Sequence, residues 1–136
     1  MDDVKLAGKI AASGMKVQAQ RLRVISENLA NADSVAARPG EDPYQRKTIT
    51  FKNVMDRELG TQVVEVDKVG VDRSEFQRRY DPNHPGAGED GYVLMPNVNP
   101  LVELMDMREA QRTYEANLDV IGVSKEMVKK TLDLLR

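Results

Sequence analysis

The chain contains no cysteine, no tryptophan and a single histidine. Without cysteine there is no disulfide, no thiolate nucleophile and no Cys-ligated zinc or iron–sulfur centre. One histidine excludes a His-rich metal site. Aromatic residues make up 4% of the 136 positions, and Leu, Ile, Val and Phe together number 33, or 24%. That is little above the level, about 20%, below which chains tend to stay disordered. A large close-packed core is therefore not expected, and burial must come from stripes on long elements or from partners. No stretch approaches the roughly 18 apolar residues of a membrane span. The opening Met1-Asp2-Asp3-Val4-Lys5 has acids where a secretory signal is basic, and Lys9 interrupts the short apolar stretch that follows. No cleaved signal peptide is expected, which by itself reads as a cytosolic chain. Twenty basic against 22 acidic residues give a net charge of −2. This argues against a protein that lives by coating nucleic acid or an anionic membrane.

What is present falls into three zones. Residues 1–33 lack proline, and Val4, Gly8, Ala11, Met15, Gln18, Leu22, Ile25, Leu29 and Ala32 repeat at alternating spacings of 4 and 3. Such a heptad seam predicts a helix with a coiled-coil-like contact. Residues 99–136 repeat the pattern through Leu104, Met107, Gln111, Tyr114, Leu118, Ile121, Lys125, Val128, Leu132 and Leu135. Asn99 is a good N-cap, and Pro100 at the first helical position loses no needed N–H. Between them, residues 34–98 hold five of the six prolines. The runs Thr48–Phe51, Gln62–Val66, Val69–Val71 and Tyr92–Leu94 read as short strands, Ala37–Pro43 and Asp81–Gly91 as turns, and Asn53–Leu59 as a short helix. The predicted fold is mainly α with a small β insert. The two terminal helices pack antiparallel, with Leu29 near Met107, Leu22 near Tyr114, Val4 near Leu132, and Gln18 facing Leu118. Gly8, Gly14 and Gly122 each weaken a helix by about 1 kcal/mol relative to Ala, so the ends are expected to be marginal alone.

No catalytic constellation emerges. His84, in Asn-His-Pro within a turn, reads as an exposed or capping loop residue. Gly86-Ala87-Gly88-Glu89-Asp90-Gly91 spells a dinucleotide fingerprint but lacks the preceding strand and following helix that the fingerprint requires. The carboxylates of Glu103, Asp106, Glu109, Glu115 and Asp119 alternate with Arg108 and Arg112, as in a solvated or interfacial helix face. No catalytic, metal-binding or cofactor-binding residue is assigned, and no cofactor is expected.

Two motifs point to a family. Asn97-Val98-Asn99-Pro100-Leu101-Val102-Glu103-Leu104 and its continuation through Arg108, Glu109, Gln111, Arg112, Tyr114, Glu115, Asn117 and Leu118 resemble the C-terminal signature of the bacterial flagellar rod and hook axial proteins. Ser26-Glu27-Asn28-Leu29-Ala30-Asn31-Ala32 resembles their N-terminal signature. Asp42–Lys47 and Tyr80–Pro85, together with the short length, are similar to the proximal-rod members. The resemblance implies a structural, non-enzymatic subunit of the rod that carries torque across the periplasm. Such a subunit polymerises through its terminal helices, with the β insert as an outer layer. It implies contacts with other copies, with neighbouring rod proteins and, during secretion, with the flagellar type III export apparatus, and no nucleic acid or membrane insertion. Asn28 and Asn31 then end the first helix and direct the turn; Leu29, Ala30, Ala32, Asn97, Asn99 and Pro100 are further motif residues; and Arg108, Glu109, Gln111, Arg112, Glu115 and Asn117 supply interface hydrogen bonds and ion pairs. The second reading is a cytosolic coiled-coil adaptor or secretion chaperone; a small hydrolase using the acidic helix has no constellation to support it.

Overall fold

The computed structural model describes residues 2–136. Asp2 and Asp3 open helix α1 (Asp2–Ala30), where acids favour the N-terminal end of the dipole. Helix α2 (Pro100–Leu134) starts at Asn99, whose Oδ1 accepts the Leu101 N–H at 3.1 Å, as expected of an N-cap. Between them lie strands β1 (Lys47–Asp56), β2 (Thr61–Val71), β3 (Gln77–Tyr80) and β4 (Tyr92–Met95). β1 pairs with β2, and β3 pairs antiparallel with β4, from Gln77 opposite Met95 to Tyr80 opposite Tyr92.

The expected helix at Asn53–Leu59 is instead the end of β1 and a tight turn. Asp56 Oδ1 accepts the N–H groups of Glu58 at 2.9 Å and Leu59 at 3.2 Å, and Gly60 N–H reaches Asp56 O at 2.8 Å. An aspartate that bonds its own following backbone competes with a helix and favours a turn. The two runs Gln62–Val66 and Val69–Val71 are one continuous strand. β3 was not foreseen, because Gln77-Arg78-Arg79-Tyr80 has no β-branched residue. It is held by pairing and by aromatic contact: the Tyr80 and Tyr92 rings meet edge-on at 5.3 Å, and Arg78 lies 4.8 Å over the Tyr92 ring.

The chain divides into two compact units. The first comprises Met1–Leu22, Ile49–Lys68 and Arg108–Arg136. In it the helices run antiparallel through small residues. A Cβ on Gly8 would lie 3.5 Å from Ser124 Cβ, and one on Gly14 would lie 2.9 Å from Asn117 Nδ2. Further along, Arg21 meets Glu109 at 3.6 Å. The antiparallel direction agrees with expectation, but the register does not. Gly8 meets Ser124 and Gly14 meets Asn117, where the pairing of Leu22 with Tyr114 would set them opposite Val128 and Gly122, a slip of about one helical turn.

The inward phase of α2 also differs by half. Met107, Tyr114, Ile121 and Val128 are partly buried as the seam predicts. The alternate positions are taken by Ala110, Asn117 and Ser124, while Leu104, Gln111, Leu118 and Lys125 lie exposed. The reason is steric: small side chains let two helix backbones approach, whereas Leu at those positions would hold them apart. Gln18 is partly buried, and its Oε1 has no hydrogen-bond partner among the described residues. On another side of α1, Val17 is buried and lines a groove shared with Leu59 and Val63 of the hairpin.

The second unit comprises Arg23–Thr48 and Val69–Met107. Its buried residues include Val24, Ile25, Val93, Pro96 and Val98, with the polar Asn28 and Glu103 among them.

The glycines thus differ in role. Nothing lies within 4 Å of a Cβ built on Gly122. Gly122→Ala is expected to raise stability by about 0.5–1 kcal/mol, the helix-propensity gain. Gly14→Ala should gain nothing, because its methyl displaces Asn117. Denaturant midpoints of the full chain by circular dichroism check this; equal stabilisation by both would contradict the close approach.

Candidate functional site

Two features organise the motif residues: a polar clamp in the second unit, and the outward faces of the helices.

The clamp is built from backbone demands. After α1, the chain must turn and return as β1, leaving the segment Tyr44–Lys47 without a strand partner for every polar group. Asn28, 1% exposed, meets that need. Its Oδ1 accepts from the Tyr44 hydroxyl at 2.7 Å and from Lys47 N–H at 2.9 Å, and its Nδ2 donates to Lys47 O at 2.9 Å. Asn97 does the same from the other side. Its Oδ1 accepts Arg46 N–H at 2.8 Å, and its Nδ2 donates to Asp72 O at 2.9 Å and Ser74 O at 3.1 Å. Asn31 is the local cap: Nδ2 donates to Glu27 O at 2.9 Å, and Oδ1 accepts from the Ser34 hydroxyl at 3.0 Å.

Arg46 lies at the centre of a charged cluster. Its guanidinium bonds the carboxylate of Glu103 and comes within 3.4 Å of Asp72 and 3.9 Å of Asp106. Glu103 is 1% exposed, and its Oε2 has no hydrogen-bond partner among the described residues. Burial, the largest single effect, works against the charge on Arg46, but the hydrogen bonds and charges of Glu103 and Asp72 together outweigh it and hold the guanidinium more firmly protonated than usual. The Ser74 backbone and hydroxyl hydrogen bonds keep the Asp72 carboxyl below its ordinary range. Burial raises the Tyr44 hydroxyl, and the bond to Glu27 at 2.8 Å raises the Lys47 ammonium.

Among the anticipated residues, Asn28, Asn31, Asn97 and Asn99 thus bond backbone. Leu29 and Ala32 are partly buried, and Ala30 and Pro100 are exposed. On α2, Arg108, Glu109, Gln111, Arg112 and Glu115 lie on the exposed face, while Tyr114 and Asn117 are partly buried. Leu118 is half exposed, at 50%. Tyr44, Arg46, Asp72 and Ser74 were not singled out. Only Tyr44 and Arg46 carried a signal, as members of the Asp42–Lys47 motif. His84 caps its own turn, its Nδ1 accepting the Gly86 N–H at 2.9 Å.

The outward faces carry large apolar side chains. Val120, Val123 and Met127 are exposed in the first unit, and Leu101, Leu104 and Met105 in the second. Surface residues of that kind, contiguous along a helix, mark an interaction site rather than a finished monomer. Polar groups turned inward to hold the turn, and apolar groups turned outward, leave a surface suited to association.

Comparison with known proteins gives the family. Residues 9–37 match the family model described as flagella basal body rod protein, and residues 89–134 match flagellar basal body rod FlgEFG protein C-terminal. The flagellar basal-body rod protein FlgC of Agrobacterium fabrum (strain C58) is 52% identical over 136 residues, covering 100% of this chain and 98% of that protein. The FlgC proteins of Escherichia coli O6:H1 and Bacillus subtilis (strain 168) are 39% and 35% identical, each covering 92% of this chain and 92% and 93% of their own lengths. The chain belongs to the flagellar basal-body rod protein family, whose members are structural and not enzymes.

Removing the positive centre of the clamp should be costly. Arg46→Met leaves Glu103 buried and unpaired, and is expected to cost about 3 kcal/mol or more of stability. The double change Arg46→Met/Glu103→Met should recover most of that loss. Urea unfolding of the two variants decides it; a single variant within 0.5 kcal/mol of the parent, roughly the usual surface range, would show that the pair has no structural role.

Proposed function

We propose that this chain is a structural subunit of the flagellar basal-body proximal rod. It assembles through its terminal helices with copies of itself and with neighbouring rod proteins, and transmits torque across the periplasm for swimming. In this reading residues 1–33 and 99–136 form a helical axial core, and residues 34–98 a β-rich insert on its outside. The chain reaches its place through the flagellar export apparatus, without a cleaved signal peptide.

The observation that carries the reading is the apolar face left on α2, with Leu101 at 67%, Val123 at 56% and Leu118 at 50% exposure. Burying one such side chain contributes about 1.5–3 kcal/mol, and a rod subunit touching several neighbours can bury many. Coiled-coil-like packing of α2 against helices of other subunits would bury these side chains. Arg108, Gln111, Arg112 and Glu115 flank them and would supply interface hydrogen bonds and ion pairs. Asn28 and Asn31 would end the first helix and direct the turn, and Asn99 would cap the second. The family membership weighs against the cytosolic adaptor.

Leu118→Asp separates folding from assembly. Leu118 is a surface residue of the monomer, so the purified variant should keep the parent's helix content and unfolding midpoint within about 0.5 kcal/mol. Cells relying on it should lack completed basal bodies and fail to swim. Normal rods and motility would contradict the proposed interface.

A further inference from the structure

On either side of the α1/α2 contact in the first unit runs an open apolar groove, and Ser124 lines both. The two have similar volumes, about 410 and 470 Å³. Their floors are alike: Ala12, Ile121 and Val128 in one, Val4, Val120, Val123 and Met127 in the other. Their rims are opposite in sign. The charged residues lining the first are Lys5, Lys9 and Lys125; those lining the second are Asp3 and Asp119. All five are exposed.

We propose that these grooves are the two halves of one self-interface, with the lysine-rimmed groove of one copy docking on the aspartate-rimmed groove of the next. The proposal rests on the rod-subunit reading above and adds which face meets which. Charge decides the pairing. Lysine groove on lysine groove, or aspartate groove on aspartate groove, sets like charges together and is disfavoured; the unlike pairing attracts, and its apolar floors supply the buried area. Lysine stems can lie along the apolar floor with the ammonium groups at the rim. A contact between two different faces is heterologous. It leaves each copy with one unused face and so propagates around a ring or along a helix, whereas a two-fold dimer would stop. The opposed rims therefore select a continuing array of this chain over a closed pair.

Charge reversal in cells that depend on this chain tests the pairing. Lys5→Glu/Lys125→Glu reverses most of one rim, and Asp3→Lys/Asp119→Lys reverses the other. Each pair alone should lower the number of completed rods on the order of ten-fold, and the four changes together should restore them to within about three-fold. A second measurement reads the contact directly. Cells make two versions of the chain, distinguishable by size, one carrying Lys125→Cys and the other Asp119→Cys, and a short bis-maleimide is applied to isolated basal bodies. Mixed pairs should dominate over like pairs. Rods indifferent to either reversal, no recovery in the fourfold variant, predominance of like pairs, or cross-links only to other proteins would each overturn the proposal while leaving the rod reading intact. Basal bodies that lack the chain altogether would instead overturn the rod reading, and this interface with it.

Discussion

Two helix backbones come together over Gly8 and Gly14 on one side and Ser124 and Asn117 on the other. That contact governs much else. A helix pair joined through glycine, serine and asparagine buries little apolar area per turn, so the side chains that could bury more are placed elsewhere. On α2 they point outward. The buried hydrophobic residues are alanine, valine and one isoleucine, while leucine and methionine dominate the exposed set. This inverts the usual distribution, in which large aliphatic side chains fill the interior. The inversion is intelligible if the interior of interest is that of the assembly.

The same economy appears in the second unit, where polar side chains hold the fold. Asn28 and Asn97 grip opposite ends of Arg46-Lys47, and Arg46 answers the buried Glu103. A neutral amide can satisfy a donor and an acceptor at once, which is why asparagine rather than aspartate stands at both places. Leaving either unmade would strand buried backbone groups at a cost of about 1–3 kcal/mol each. The two asparagines tie the end of α1 and the chain just before α2 to the segment that enters β1.

Much of the fold was legible in the sequence, because helix length, capping and the absence of proline act locally. Asn99 and Pro100 mark the start of α2 as their chemistry requires. The phase of α2 was half legible. Heptad reasoning assigns the largest apolar residues to the inner seam, and Leu104 and Leu118 lie outside it. The periodicity is genuine, but it serves two faces, and only Gly8 and Gly14 hinted that the internal face is the one with small residues. The register differs for the same reason, since matching Leu22 to Tyr114 maximises apolar contact, whereas the helices meet through small residues. The clamp was partly legible. Asn28 and Asn97 stood out as motif residues, but their partners lie far along the chain, at Lys47 and at Asp72 and Ser74, and no local pattern announces such a pairing. Asp56 was missed because a run containing Met55 and Leu59 reads as helix until the turn made by its carboxylate is recognised.

The chain closes on itself through small residues, which leaves its large apolar side chains on the outside. With no native cysteine, one engineered pair tests it. A Cβ on Gly8 would sit 3.5 Å from Ser124 Cβ, within the range, about 3.5–4.5 Å, that a disulfide spans. Gly8→Cys with Ser124→Cys should oxidise to a disulfide within one chain, both in the purified protein and in assembled rods that still turn. Cross-linking only between chains, or an intrachain bond from Val4→Cys with Leu132→Cys in place of it, would contradict the account.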